Sequence, residues 1–108
     1  MNVLILNALS NVGVPVAFQS YRGKSKTYIT FFIAGEGPAL HADNKEVKTW
    51  YLIQVDIWSK TDYTNLAKTV KEKMKLAGFR RSSSQDLYEN DTEIYHKAMR
   101  FYYSSTPE

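Results

Sequence analysis

Few residues of this sequence could do chemistry, and its two histidines are the strongest candidates. His41 lies in a polar stretch two positions before Asp43, whereas His96 lies in a late apolar segment. A metal centre needs three or four convergent ligands, and a nucleophilic site needs a base and an orienting acid. Neither pattern occurs, and the segment Gly35-Glu36-Gly37-Pro38 lacks the lysine and following helix of a phosphate loop. We therefore expect no enzyme, no metal and no cofactor.

The elements that must position these side chains show two periodicities. Apolar residues at helical spacing predict helices over residues 2–11, with Asn2 as cap, and over residues 63–77, ended by Gly78. Ile5, Leu6, Leu9 and Val12 form the apolar side of the first helix. Alternating aromatic and β-branched residues predict strands over residues 16–20, 27–34, 50–59, 79–84 and 94–103. A polar loop over residues 35–47 is expected between the second and third strands.

This element order predicts one α+β domain spanning residues 1–108. We expect a mixed, mostly antiparallel four- to five-stranded sheet with two helices packed on one face. A chain of 108 residues is long enough for one core and too short for two ordinary domains. The expected core places Ile53, Val55 and Ile57 of a central strand beneath Leu66, Val70 and Met74 of the second helix.

The segment from Trp50 to Ser59 is a long strand that is apolar on both faces. With a period of two, one face carries Tyr51, Ile53, Val55 and Ile57 and the other carries Trp50, Leu52, Gln54, Asp56 and Trp58. The second face suits a surface covered by another subunit. The alternative is a central strand that helices cover on both sides.

Asp56 is costly to bury without a partner, since desolvation disfavours an unpaired charge. In the last strand His96 and Arg100 share a face, so either could pair with Asp56 across the sheet. An ion pair between Asp56 and Arg100 is our hypothesis, with His96 as the other partner. The alternative is an exposed Asp56 or one that caps a turn.

The overall charge is weakly positive, with 14 basic and 11 acidic residues giving a net charge of +3. Arg22, Lys24 and Lys26 could join Arg80 and Arg81 in one basic patch beside aromatic strands. This leaves a small single-stranded nucleic-acid-binding α+β module as the alternative function. The sequence shows neither a secretory signal nor an 18-residue apolar run, so we expect a soluble protein inside a cell without a membrane partner.

Several short motifs occur in a distinctive order. They are Gly13-Val14-Pro15-Val16, Tyr28-Ile29-Thr30-Phe31, Asp43-Asn44, Tyr51 through Asp56-Ile57-Trp58-Ser59, Ala77-Gly78-Phe79-Arg80-Arg81 and Ile94-Tyr95-His96-Lys97-Ala98-Met99-Arg100-Phe101. In this order and spacing, over nearly the whole chain, they resemble the small tail-completion proteins of long-tailed bacteriophages and prophages. These proteins are also called tail terminator or tail-to-head joining proteins.

The resemblance implies a role in virion assembly rather than catalysis. Such proteins form a ring, typically a hexamer, that caps the head-proximal end of the tail tube and offers a head-joining interface. The implied partners are further copies of the chain, the tail tube protein and the head-tail connector, and the implied location is the virion tail, assembled in the bacterial host cytoplasm. The residues expected to contribute subunit or tail-tube contacts are Trp50, Leu52, Asp56, Trp58, Glu36, His41, Asp43 and Lys45.

Overall fold

The computed structural model describes residues 1–40 and 47–105, which form two helices and five strands. In chain order these are α1 (Asn2–Ala8), β1 (Val16–Phe18), β2 (Thr27–Leu40), β3 (Val47–Ser59), α2 (Thr64–Leu76), β4 (Arg80–Glu89) and β5 (Ile94–Ser105). The predicted α+β class, with two helices and a mixed sheet, is confirmed.

The strands form one sheet in the order β1-β2-β3-β5-β4. β1 is parallel to β2, and the other three pairs are antiparallel. The register places Asp56 of β3 beside Thr30 of β2 and Ala98 of β5. β3 is therefore the central strand, and its side chains decide what lies on each face.

Both helices pack on one face of the sheet, where the core lies. Ile53, Val55 and Ile57 are fully buried, as predicted, together with Val70 and Met74 of α2. The core continues into α1 through Ile5 and Leu9, into β2 through Ile29 and Phe31, and into β5 through Met99 and Phe101. The half-buried Leu66 packs against this cluster. Since α1 has only seven residues, it depends on this packing for its stability.

Local sequence explains the bounds of α2. At its start, Asp62 Oδ1 accepts hydrogen bonds from the Thr64 backbone N–H at 2.9 Å and from Thr64 Oγ1 at 2.6 Å. At its end, Gly78 has φ +97°, a left-handed conformation that favours glycine. Lys73 and Lys75 lie in the last turn, where a positive charge complements the helix dipole.

The first helix differs from the prediction. It ends at Ala8 instead of residue 11, and Asn2 is its first helical residue rather than its cap. Met1 takes the cap position, where no side-chain hydrogen bond is formed. Leu6 is 40% exposed, so it does not belong to the core as the helical spacing suggested.

The predicted loop over residues 35–47 is wrong for residues 35–40 and for Val47, because β2 continues to Leu40 and β3 begins at Val47. Its remaining part, residues 41–46, lies outside the described residues. The strand passes Gly35 with a β-bulge between Ile33 and Gly35. Gly37 makes room for a neighbouring ring, since a Cβ there would lie 3.0 Å from atoms of the Trp50 indole. These glycines therefore let a large side chain cross the hairpin rather than break the strand.

β4 has ten residues in the structure, whereas the predicted strand over residues 79–84 has six, and β1 is shorter than predicted. β4 forms one edge of the sheet, and all ten of its residues are exposed. Without a buried face it has no alternation of apolar and polar residues, so periodicity could not reveal its full length.

Replacing Met74 by alanine should lower the free energy of unfolding by about 2–5 kcal/mol, because it leaves a cavity in the place of a fully buried side chain. Leu76→Ala is the matched control on the same helix, since Leu76 is 85% exposed, and it should change stability by less than about 0.5 kcal/mol. Urea denaturation followed by circular dichroism measures both. Equal losses in the two variants would contradict the assigned helix face.

Candidate interaction surface

The sheet face opposite the helices, here called the open face, carries polar, aromatic and aliphatic side chains from four strands. Its members are Tyr28 and Thr30 of β2, Trp50, Leu52, Gln54, Asp56 and Trp58 of β3, Leu87 of β4, and His96, Arg100 and Tyr102 of β5. The packed cluster that includes both helices contains none of these residues. Of the predicted contact residues, Trp50, Leu52, Asp56 and Trp58 lie on the open face, whereas Glu36 pairs with Tyr51 and so lies on the helix side.

Asp56 is the most unusual residue of the open face, because it is only 3% exposed although no described helix covers it. Its Oδ1 accepts a hydrogen bond from Gln54 Nε2 at 2.9 Å. His96 Nε2 lies 2.7 Å from the same oxygen, and the tautomer that carries its proton on Nε2 donates to it. Gln54 of the same strand and His96 of the neighbouring β5 thus offset the cost of desolvating the carboxylate.

The position of His96 follows from strand register and ring stacking. His96 lies directly opposite Trp58, which places it diagonally across from Asp56. The two rings stack with centroids 3.8 Å apart and an interplanar angle of 12°. Trp58 is itself fixed by a 2.9 Å hydrogen bond from its Nε1 to Thr30 Oγ1. The imidazole is therefore held in place from two directions.

Arg100 does not form the predicted ion pair with Asp56. It lies opposite Gln54, and its Nε donates to Gln54 Oε1 at 3.0 Å. Gln54 in turn donates to Asp56, so the guanidinium reaches the carboxylate only through this amide. The direct partner is His96, the other residue that the sequence suggested. The alternative of an exposed or turn-capping Asp56 is wrong.

A row of aromatic rings continues from this network toward the β1 side of the sheet. Tyr28 and Trp58 have centroids 6.3 Å apart, and Tyr21 stacks on Tyr28 at 4.6 Å. The pKa of Tyr28 is raised, mainly by burial and then by electrostatic interaction with Glu89 and Tyr21. The rings lie against one another, so much of their flat surface is already used within the molecule.

The residues of this network have the right types for acid–base chemistry but not the right surroundings. The His96 side chain is only 12% exposed, and its ring face is covered by Trp58. The hydroxyl oxygen of Thr30, Oγ1, accepts a hydrogen bond from Trp58 Nε1. Within residues 1–40 and 47–105, no three His, Cys, Asp or Glu side chains form a group that could hold a metal ion. The geometry thus serves to hold the sheet surface in one arrangement.

The predicted contact residues differ in accessibility. Trp50 is 37% exposed, Glu36 is exposed, and Leu52 and Trp58 are half-buried. Asp56 is buried, and its carboxyl group contacts Gln54 and His96. The remaining three, His41, Asp43 and Lys45, lie outside the described residues.

Sequence reasoning assigned no contact role to two large exposed side chains near these residues. Tyr102 is 48% exposed and lies beside Leu52, and Leu87 is 42% exposed and lies beside His96. Tyr102 could have been found from the period-two pattern of β5, which already placed it with His96 and Arg100. Leu87 could not, because the predicted fourth strand stopped before it.

A second cluster of charged groups lies on the helix side, in an open cleft of about 580 Å³ near the start of α2. Asp86 Oδ1 accepts hydrogen bonds from Tyr63 Oη at 2.6 Å and from Lys97 Nζ at 3.0 Å, and these bonds lower the pKa of Asp86. Burial, followed by the bond to Asp86, raises the pKa of Tyr63 to about 12. The hydrogen bonds from Thr64 lower the pKa of Asp62. Sequence reasoning missed this cluster because Asp86 lies in the unpredicted part of β4.

A chain in the virion of a native gene transfer agent (GTA) particle has a similar structure. The TM-score is 0.61, and the match covers 93% of this chain and 84% of that chain at 12% sequence identity. The two chains share one fold. No protein-family model matches the sequence, and no curated protein matches it either. No helix in the described part of the chain is long and apolar enough to cross a membrane.

Double-mutant cycles should distinguish the two candidate partners of Asp56. Asp56→Asn and His96→Phe should couple by about 1–2 kcal/mol in unfolding free energy, because the phenyl ring can still stack on Trp58 but donates no hydrogen bond. Asp56→Asn and Arg100→Gln should couple by less, since Gln54 lies between these residues. Denaturant titration of the single and double variants measures both terms. A larger coupling with Arg100 would contradict the geometry.

The pH dependence of stability should report the Asp86 contacts. A lowered folded-state pKa stabilises the fold above the ordinary carboxyl value of about 4, and this contribution disappears as pH falls through the lowered value. The Asp86 side chain is 62% exposed, so the contribution at pH 7 should stay below about 1 kcal/mol.

Asp86→Asn should therefore be less stable than the unsubstituted protein at pH 7 and approach it in stability below pH 4. Tyr63→Phe, which keeps the ring and removes one donor, should show part of this change. Thermal unfolding across this pH range measures both variants. An unchanged difference at every pH would rule out the assigned contacts.

Proposed function

We propose that this chain is a non-enzymatic virion assembly protein that caps the head-proximal end of a phage-type tail tube as an oligomeric ring. In this role it stops tube growth and presents an interface for head joining. Further copies of the chain, a tail tube protein and a head-tail connector are its proposed partners. A hexamer is the proposed ring size, as the sequence resemblance implies.

The observation that carries this proposal is the fold shared with a chain of the gene transfer agent virion, over 93% of the present chain. A likeness at 12% identity supports the fold alone, so the tail-capping role depends on the ordered motifs of the sequence. The motifs consist of residue types in a fixed order, whereas the likeness consists of backbone geometry. Both favour a virion component.

The two unequal faces of the sheet give this role a physical basis. Helices of the same chain cover one face, whereas the open face keeps large side chains such as Trp50, Tyr102 and Leu87 partly accessible. Stable interfaces bury roughly 800 Å² per partner, and aromatic anchors contribute much of their energy. The chain exposes 7200 Å² in total, which is enough for two ring neighbours and a tube contact.

The alternative function, binding of single-stranded nucleic acid, loses its two main arguments. The basic stretch 22–26 connects β1 to β2, whereas Arg80 and Arg81 begin β4 at the opposite edge, so they form no common patch. The rings of Tyr21, Tyr28 and Trp58 stack within the molecule instead of standing free for bases.

Deletion of the coding sequence from its parent phage or particle should give tails of abnormal length that fail to join heads, which electron microscopy measures directly. Supplying the unsubstituted chain should restore normal tails. Trp50→Ala should restore them poorly, because it removes the exposed indole of the open face. Tails of normal length that join heads without the chain would end this assignment.

Leu76→Ala is the matched control for that experiment, because Leu76 is more exposed than Trp50 but lies on the outer side of α2. It should restore assembly fully. Circular dichroism of the purified variants establishes that Trp50→Ala is folded. Complementation by Trp50→Ala as good as that by Leu76→Ala would remove the open face from the proposed interface.

A further inference from the structure

A groove between α2 and β4 gathers more positive charge than its surroundings balance. Five of its cations, here called the basic groove, are Lys68, Lys71 and Lys75 of α2, Arg81 of β4 and Lys97 of β5; Arg80 also lines it, and its acidic lining residues are Asp62, Glu72 and Asp86. They line two adjoining clefts of about 580 and 390 Å³, and Lys71 lies in both. The groove is thus continuous along the helix.

Among the described residues, only one of these five cations has an acidic partner, namely Lys97 with Asp86 at 3.0 Å. Lys71 is half-buried, and burial, followed by the charges of Lys97 and Arg81, lowers its pKa. Cations that face one another in a concave site raise each other's free energy. An anion bound between them would relieve this repulsion.

The groove runs beside an unpaired strand edge. β4 is the last strand of the sheet, and its ten residues are all exposed. After the irregularity between Arg81 and Ser83, it pairs regularly with β5 as far as Glu89. The other side of residues 83–89 therefore presents backbone donors and acceptors in alternation, as edges that receive an added strand do.

Charge and backbone chemistry together select the kind of occupant. A second copy adding through its β1 edge is disfavoured, because β1 has only three residues and is followed by Arg22, Lys24 and Lys26, which carry the same sign of charge. A nucleic-acid backbone offers phosphate oxygens that only accept hydrogen bonds, so it leaves the carbonyl groups of the strand edge without donors. An extended peptide satisfies both donors and acceptors, and its carboxylates satisfy the lysines.

We propose that the basic groove and the free edge of β4 bind an extended acidic segment of a partner protein. The segment adds a strand along residues 83–89 and places carboxylates against Lys68 and Lys71. This site lies on the helix side, away from the open face, so it does not depend on the tail-capping role. It would serve any assembly in which the chain must recruit a protein with an acidic arm.

The direct test is fluorescence anisotropy with a labelled ten-residue peptide of alternating glutamate and threonine. The peptide should bind the full chain, and Lys68→Gln/Lys71→Gln should weaken binding by about tenfold through loss of two charge contacts. A peptide of the same sequence with alternate backbone amides methylated should also bind about tenfold more weakly, because it cannot complete the added strand. Raised salt should weaken binding of the unmodified peptide.

Arg22→Gln/Lys24→Gln provides the matched control, since it removes the same amount of charge near β1, at the opposite edge of the sheet from β4. It should leave the affinity unchanged. Equal weakening by both double substitutions, an unaffected methylated peptide, or no binding at all would overturn the proposal. So would tighter binding of a labelled ten-nucleotide single strand than of the peptide.

Discussion

The structure depends on how one carboxylate is accommodated at the centre of the sheet. Asp56 is nearly inaccessible on a face that no described helix covers, so its carboxyl group needs hydrogen-bond partners within the sheet. Gln54 and His96 supply the donors, and only the observed register of β3 and β5 brings His96 within reach. A shift of one residue in this register would point these side chains toward the core and leave the carboxylate unpaired.

This requirement links the two faces of the protein. The register that satisfies Asp56 also sends Ile53, Val55 and Ile57 toward the helices, where they are fully buried. On the open face, the stacked Trp58 and His96 rings and the bond to Thr30 hold the surface in one arrangement. A surface ordered before it meets a partner loses little conformational entropy on binding, which suits an assembly interface.

The sequence predicted the features that repeat along the chain and missed those set by tertiary context. Alternation in residues 50–59 and helical spacing in residues 63–77 correctly placed the core and the fold class. Gly35 and Gly37 suggested a loop because a local pattern does not show the Trp50 ring that they accommodate. The partner of Asp56 could be narrowed to two residues but not chosen, since the choice depends on register and ring stacking. β4 has no buried side, so its sequence shows no alternation of apolar and polar residues. The sequence pattern therefore could not predict the groove beside it.

The central proposal is that the open face contacts other proteins in the assembled state, whereas the sheet face beneath the helices is buried within the chain. Hydroxyl-radical footprinting of the chain, free and then bound to tail tubes, tests this residue by residue. The account predicts that Trp50, Tyr102 and Leu87 become protected on assembly while Leu76 of α2 stays reactive. Protection of Leu76 with unchanged reactivity of Trp50 and Tyr102 would contradict it.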